Sequence, residues 1–177
     1  IHGPLGFERV LGASWPAHLQ ASAIEDNWIK LHPSCLGTHA SIDAAQEARA
    51  GGYAPGGDPA GGDKPTDDPL QVRVHPVSRQ AAHLDAVDDG LAAKFSIPYC
   101  VAFTLLHGPP RIQDFDDLDR AAVALAERVA VVVDRSRPEF GAVLRLGGRE
   151  LAWIACPRGA PYRPAPDAAL AANVSEH

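Results

Sequence analysis

The pattern of hydrophobic and polar positions indicates strands in four segments of this 177-residue chain. Residues 70–76 alternate cleanly, which predicts a half-buried strand, and residues 28–31 alternate over a shorter stretch. The strand at 28–31 should end at Pro33, because proline cannot donate a hydrogen bond to a sheet. A β-prone run over 129–134 predicts another strand, and two apolar runs within 141–156, separated by adjacent glycines, predict a β-hairpin.

Helical patterns lie between and around these strands. The most hydrophobic helix should begin at Ser96, a good N-cap, and stop at Gly108. Because its sequence is apolar nearly all round, it should be the central buried helix. Another helix should follow a cap at Ser34 or Thr38. Three further helical patterns cover residues 4–12, 116–127 and 166–174.

The order of these elements predicts an α+β fold. We expect a two-layer sandwich in which helices pack on one face of a mainly antiparallel sheet. Residues 1–177 should form a single domain, since this length is ordinary for one core. Residues 51–69 are mostly Gly, Pro and Asp, which predicts a mobile surface loop within the domain. Residues 77–90 are polar and acidic and should cross the surface.

Charge and composition argue against several classes of protein. The formal net charge is −6 without a basic cluster, which argues against nucleic-acid binding. No apolar run approaches the ~18 residues of a membrane span, and no signal peptide is recognisable. Three widely spaced cysteines, an odd number, indicate reduced thiols in a cytoplasmic protein. The chain starts at Ile1 and contains no Met, so we expect a processed chain or a piece of a longer one.

Candidate chemistry concentrates in residues 28–43. Lys30 lies between apolar residues, where a partly desolvated ammonium would be a usable acid or base. The simpler alternative is a lysine that faces solvent from an edge strand. The turn from Ser34 to Thr38 leads into a helix N-terminus, whose N–H groups, beside Lys30 and His39, would bind a carboxylate.

A second helix start, at residues 96–99, offers the hydroxyl of Ser96 and the phenol of Tyr99. Each start alone is more often just a cap. If the two starts converge on one point, they would bind a small polyanion. In that arrangement the substrate-binding hydroxyls would be those of Ser34, Thr38 and Ser96.

A metal site is the other chemistry that this region suggests. His32, Cys35 and His39 follow the spacing H-x2-C-x3-H. A single thiolate without a second ligand pair or a fourth ligand is a weak metal signal, so we predict no metal and interpret these residues as turn and cap residues. Cys35 as a nucleophile lacks an identifiable base. The acidic pairs at 67–68, 88–89 and 116–117 should be solvated.

Several segments together resemble a known family. They are residues 30–35 (KLHPSC) with 38–39 and 42–44, residues 72–76 (VRVHP), residues 93–102 (AKFSIPYCVA) and residues 156–161 (CPRGAP). In order and spacing they resemble the C-terminal domain of the MmgE/PrpD family over nearly the whole chain.

The resemblance implies a part of a lyase. Members of this family include 2-methylcitrate dehydratase, cis-aconitate decarboxylase and related epimerases, which act on small di- and tricarboxylates without a metal or organic cofactor. They pair a large helical N-terminal domain with a smaller α+β domain, hold the active site between the two, and are typically homodimers. By resemblance, Lys30 is an active-site lysine, and His39 and Tyr99 line the same cleft. Lys30 and His39 would take the acid–base and charge-stabilising roles.

The helical domain is absent from this sequence. We therefore expect the isolated chain to have little or no lyase activity. The alternative is a non-catalytic carboxylate-binding or assembly module of the same fold. A domain without its large partner should also expose an apolar face and self-associate.

Overall fold

The computed structural model describes residues 26–56 and 68–171 apart from residue 169, together with Gly12. In this part of the chain the helices are α1 (Leu36–Ala50), α2 (Pro76–Ala81), α3 (Gly90–Ala93), α4 (Ile97–His107) and α5 (Arg120–Ala126). The strands are β1 (Leu70–Val74), β2 (Val129–Val133), β3 (Ala142–Leu146) and β4 (Arg149–Ile154), and a 3-10 turn covers Ile112–Phe115. No helix among these residues is long and apolar enough to cross a membrane. Most of the predicted helix 4–12 and of the predicted loop 51–69 lies outside the described residues.

The described strands form one mixed sheet in the order β2-β1-β3-β4. β1 pairs in parallel with β2 and antiparallel with β3. β3 and β4 form an antiparallel hairpin whose turn contains Gly147 at φ 54. The predicted α+β fold is therefore confirmed, and so is the predicted hairpin.

The segment 28–31 does not join the sheet, so the strand predicted there is wrong. This segment donates instead to the C-terminal loop, because the Ile29 N–H bonds the Gly159 carbonyl at 2.8 Å. Trp28 packs edge-on against the Phe140 ring, with 4.8 Å between the ring centroids. These contacts place Lys30, the next residue, beside the C-terminal loop.

The core lies between the sheet and two helices. The buried residues of β1 are Leu70, Val72 and Val74, as the alternation predicts. α4 adds aliphatic side chains to the same cluster, and α1 adds a row of alanines: Ala40, Ala44, Ala45 and Ala48. Because alanine is small and a strong helix former, α1 can pack close to the sheet, which fixes the position of its N-terminal end.

α4 is the central buried helix that the sequence predicts. The Ser96 Oγ accepts the Tyr99 N–H at 3.2 Å, which caps its first turn. The helix ends at Gly108, whose φ of 97 suits glycine alone among common residues. All residues from 97 to 105 are buried, since the helix packs against α1, α5 and β2.

Two helix starts differ from the prediction. α1 has Cys35 at its N-cap, and the Cys35 side chain makes no capping bond. The Thr38 hydroxyl donates to the Cys35 carbonyl at 2.8 Å, which leaves the Ser34 hydroxyl to donate to Thr38 Oγ1, also at 2.8 Å. The prediction of Ser34 or Thr38 as the cap is therefore wrong, because these two hydroxyls satisfy each other. α5 begins only after Asp119, whose side chain caps it, and residues 77–90 contain most of α2.

Leu144 tests the packing of the core, because it lies on the central strand β3 and is fully buried. Leu144→Ala should lower the free energy of unfolding in urea by about 2–5 kcal/mol, since the surrounding helices cannot fully close the cavity. The matched control is Leu91→Ala, because Leu91 is 69% exposed, and it should change stability by less than about 1 kcal/mol. Equal losses in the two variants would contradict this description of the core.

Candidate functional site

A cleft of about 740 Å³ lies beside the start of α1. The extended segment that leads into α1 contributes residues 30–35. The remaining lining residues come from α1, from α3 and the turn after it, from the Pro-Pro turn after α4 and from the C-terminal loop: Asp43, Gln46, Leu91, Lys94, Phe95, Pro109, Pro110, Arg111, Ile112 and Arg158. Elements that are distant in sequence therefore meet around one concave surface.

The cleft is strongly cationic. Its lining holds one acidic side chain, Asp43, and four basic side chains: Lys30, Lys94, Arg111 and Arg158. The chain as a whole carries a net charge of −6, so positive charge is concentrated locally against the overall sign. A concave surface of one sign focuses the electrostatic field, and this one attracts anions.

Two of these cations are held by neighbouring groups. The Lys30 ammonium donates to the Ser34 carbonyl at 3.2 Å, which keeps it beside the turn into α1. The Lys94 ammonium lies 5.4 Å from the centre of the Phe115 ring, in the geometry of a cation–π contact. The Ser34 carbonyl and the Phe115 ring therefore help to hold these two ammonium groups in place beside the cleft.

Asp43 is the buried acid of the site, with only 1% of its surface exposed. Its Oδ1 lies 3.2 Å from His32 Nε2, and its Oδ2 accepts a hydrogen bond from the backbone N–H of Arg158 at 2.8 Å. The Arg163 guanidinium lies 3.4 Å from the same Oδ2. Burial by itself would raise the pKa of Asp43, but the bonds from His32 and Arg158 outweigh it and hold the pKa below its ordinary value. Asp43 is therefore a carboxylate at neutral pH.

The C-terminal loop, residues 157–163, contacts both α1 and the extended segment before it. Arg163 bonds Glu47 of α1 at 3.0 Å and the Cys156 carbonyl at 3.0 Å. Gly159, at φ +88, lies so close to the Ile29 carbonyl that a Cβ would collide with it. The position of Arg158 in the cleft therefore depends on a glycine next to it and on ion pairs to α1.

His39 lies beneath the cleft and does not line it. It is fully buried, its ring lies edge-on to His32 with 5.1 Å between centroids, and neither of its ring nitrogens has a hydrogen-bond partner. Burial, and next the nearby His32, lower the pKa of His39 from 6.5 to about 4. His39 is therefore a neutral, packed imidazole at neutral pH.

Tyr99 and Ser96 belong to the core beside α5 and not to the cleft lining. Tyr99 is fully buried, and its hydroxyl accepts the Asp119 N–H at 3.1 Å. Burial raises the pKa of this phenol. Ser96 is also fully buried and is occupied by capping α4. Neither the Ser96 nor the Tyr99 side chain therefore lines the cleft with Ser34.

Among the predicted site residues, the structure brings Lys30 and Ser34 to the cleft. Four others lie outside its lining: Thr38, His39, Ser96 and Tyr99. Their assignment to catalysis or substrate binding stays a prediction that no contact with the cleft supports. In the described ranges no three His, Cys, Asp or Glu side chains are grouped so that they could hold a metal ion.

The sequence reasoning missed most of the charged lining. Asp43 and Arg158 lie within segments that carry the family resemblance, residues 42–44 and 156–161. Their positions in those segments could have marked both residues as candidates for the site. Lys94 also lies within such a segment, residues 93–102. Arg111 carries no such signal, because only the tertiary fold brings the turn after α4 to the same cleft.

The fold and the cleft define an α+β domain that presents a cationic concave surface at the start of a helix. Comparison with known families identifies which domain this is: the family model described as the MmgE/PrpD C-terminal domain matches residues 32–172. The chain therefore belongs to the MmgE/PrpD family, through its C-terminal domain. A search of curated proteins found no match to this chain.

The low pKa of His39 predicts a loss of folding stability at acidic pH. Between pH 6.5 and about 4 the unfolded chain binds a proton at this residue and the folded chain does not. Stability should therefore fall as the pH drops through this window, by roughly 3 kcal/mol from His39 alone. Asp43 does not oppose this trend, because its lowered pKa loses stability only below about 3.8.

Urea unfolding of His39→Leu from pH 7 to pH 4 tests this expectation. The fall in the free energy of unfolding between pH 7 and pH 4 should be much smaller in this variant than in the wild type. His83→Leu is the matched control, since His83 is exposed, and it should keep the wild-type pH dependence. An unchanged pH dependence in His39→Leu would show that His39 is not held neutral by the fold.

Proposed function

We propose that this domain forms one wall of the active site of an MmgE/PrpD-type lyase that acts on small di- or tricarboxylates. The observation that carries the proposal is the cleft of about 740 Å³ with four cationic side chains around one carboxylate. Such a volume is in the usual range for small-molecule sites. A ligand with two or three carboxylates would offset the excess positive charge, whereas a neutral ligand would leave it uncompensated.

Lys30 and Arg158 are the cations that we propose for direct contact with the substrate. Loss of a proton from carbon next to a carboxylate places negative charge on that carboxylate, and preorganised cations lower the barrier by stabilising it. Ser34 lines the same surface and holds the Lys30 ammonium through its carbonyl. We assign His39 and Tyr99 a supporting role, since both are packed outside the cleft lining.

A helical domain is the partner that we propose for the other wall. Three apolar side chains line the cleft and remain exposed: Leu91 at 69%, and Phe95 and Ile112 at 38% each. Exposed apolar side chains around a polar cleft are typical of a surface that another protein surface covers. We therefore propose that the isolated domain turns over its substrate poorly or not at all, because groups from the second domain are needed.

Cellular location and assembly are part of the same proposal. The three cysteines are unpaired, and burial raises the pKa of Cys100 to about 12, so its thiol is inert. Unpaired thiols support a reducing, cytoplasmic setting. Homodimers are the assembly that the family resemblance implies, and we propose the same here.

The second candidate is a carboxylate-binding or assembly module without turnover. The observation that favours it is that, of the three residues predicted to be catalytic, the cleft receives Lys30 and does not receive His39 or Tyr99. Both candidates predict binding of a polycarboxylate. They differ in whether a helical domain restores turnover.

Calorimetric titration with tricarballylate, a stable tricarboxylate, tests the binding site. Arg158→Gln should weaken binding by about 10- to 100-fold, which corresponds to the loss of one charge-assisted hydrogen bond. Arg149→Gln is the matched control, because Arg149 is exposed on β4 and distant from the cleft lining, and it should leave the affinity within about twofold. Equal effects of the two variants would remove the cleft as the binding site.

Turnover of 2-methylcitrate and of cis-aconitate, measured for the chain alone and with a helical-domain partner, separates the two candidates. The lyase proposal predicts no product from the chain alone and product with the partner. Binding without turnover in either assay would favour the non-catalytic module. Robust turnover by the isolated chain would contradict the proposed division of the active site between two domains.

A further inference from the structure

His32 lies in the cleft lining although its turn position suggested a structural residue. It is 8% exposed, in the segment between Lys30 and the start of α1. Lys30, Lys94 and Arg158 line the same surface. Most of the His32 ring is therefore packed against the protein, and only a small part of it is open to the cleft.

The orientation of His32 follows from its partner. Its Nε2 lies 3.2 Å from Asp43 Oδ1, and an ionised carboxylate only accepts hydrogen bonds. Nε2 therefore carries the hydrogen, and in a neutral imidazole Nδ1 is then the unprotonated nitrogen. The other Asp43 oxygen is occupied by Arg158 and Arg163, so the carboxylate cannot rotate away from His32 without losing those bonds.

His39 supports His32 from the protein side. The two rings meet edge-on, with an angle of 70° between their planes. His39 stays neutral at neutral pH because burial keeps its pKa near 4. It therefore limits the movement of the His32 ring without repelling a proton that His32 accepts.

We infer that His32, oriented by Asp43, presents its Nδ1 to the cleft as the proton acceptor for a bound polycarboxylate, and that Asp43 is its positioning residue. This inference rests on the proposed function. In the step, a C–H bond beside a substrate carboxylate breaks and the Nδ1–H bond forms. The electron pair stays on the substrate, spread into that carboxylate, and Asp43 pairs the imidazolium. A carboxylate that holds a histidine in one tautomer in this way makes it an effective base.

The division of roles differs from the one suggested by sequence alone. Lys30 and Arg158 supply positive charge to the substrate carboxylates, and the His32 imidazole takes the proton. A neutral imidazole can accept a proton while the neighbouring ammonium and guanidinium groups remain charged, so the binding cations and the base need not be the same residue.

Histidine-selective nitrogen NMR on the full chain tests this inference. Spectra of the 15N-histidine-labelled protein at pH 7.5, assigned through loss of signals in His32→Gln, report which ring nitrogen carries hydrogen. We expect a protonated Nε2 and an unprotonated Nδ1 at His32. Saturating tricarballylate should then shift the Nδ1 resonance.

Asp43→Asn should abolish the single tautomer, because an amide can donate as well as accept. Glu47→Gln is the matched control: it removes another carboxylate that pairs with Arg163 but leaves Asp43 in place, and His32 should keep its Nε2–H form. If Asp43→Asn fails to fold, the wild-type tautomer and its response to tricarballylate still decide the matter.

Two results would overturn the inference while leaving the proposed function intact: an Nδ1–H tautomer in the wild type, or tricarballylate binding that leaves Nδ1 unmoved. Absence of any tricarballylate response, by calorimetry and by all histidine signals, would instead remove the proposed function and the inference together. The two failures are therefore distinguishable.

Discussion

The buried carboxylate of Asp43 is the interaction on which the cleft depends. A charge in the core is unfavourable unless hydrogen bonds and opposite charges surround it. Here those partners come from three separate parts of the chain: His32 before α1, and Arg158 and Arg163 in the C-terminal loop. The contacts of this one buried acid therefore bring together the segments that carry Lys30 and Arg158. The stability of this region and the geometry of the site have the same origin.

The fold contributes to the site through close packing. Alanines on α1 let that helix pack close to the sheet, which fixes the position of Asp43 and of the turn before it. Gly159 allows the C-terminal loop to touch the extended segment at Ile29, one residue before Lys30. A side chain at position 159 would separate the two segments, because its Cβ has no room beside that carbonyl. The cleft thus depends on small residues as much as on charged ones.

Local patterns predicted the parts of the fold that local physics decides. The alternation in β1, the glycine turn of the hairpin and the Ser96 cap of α4 all follow from nearby residues, and the structure agrees with each. The motifs also indicated the family correctly. The strand predicted at 28–31 was wrong, because alternation cannot show whether an extended segment finds a sheet edge or a loop as its partner.

The site was harder to predict, since it is assembled by contacts between distant residues. Helix starts suggested Tyr99 and Ser96, yet a buried phenol bonded to the Asp119 N–H lies in the core and not at the cleft. His32 looked like a turn residue until Asp43, eleven positions later, supplied its partner.

A crystal structure of the chain with tricarballylate bound would test the central claim most directly. We predict ligand carboxylates in contact with Lys30 and Arg158 and a ligand atom within hydrogen-bond distance of His32 Nδ1. A ligand bound elsewhere, or one that contacts the cleft without approaching Lys30 and Arg158, would contradict it.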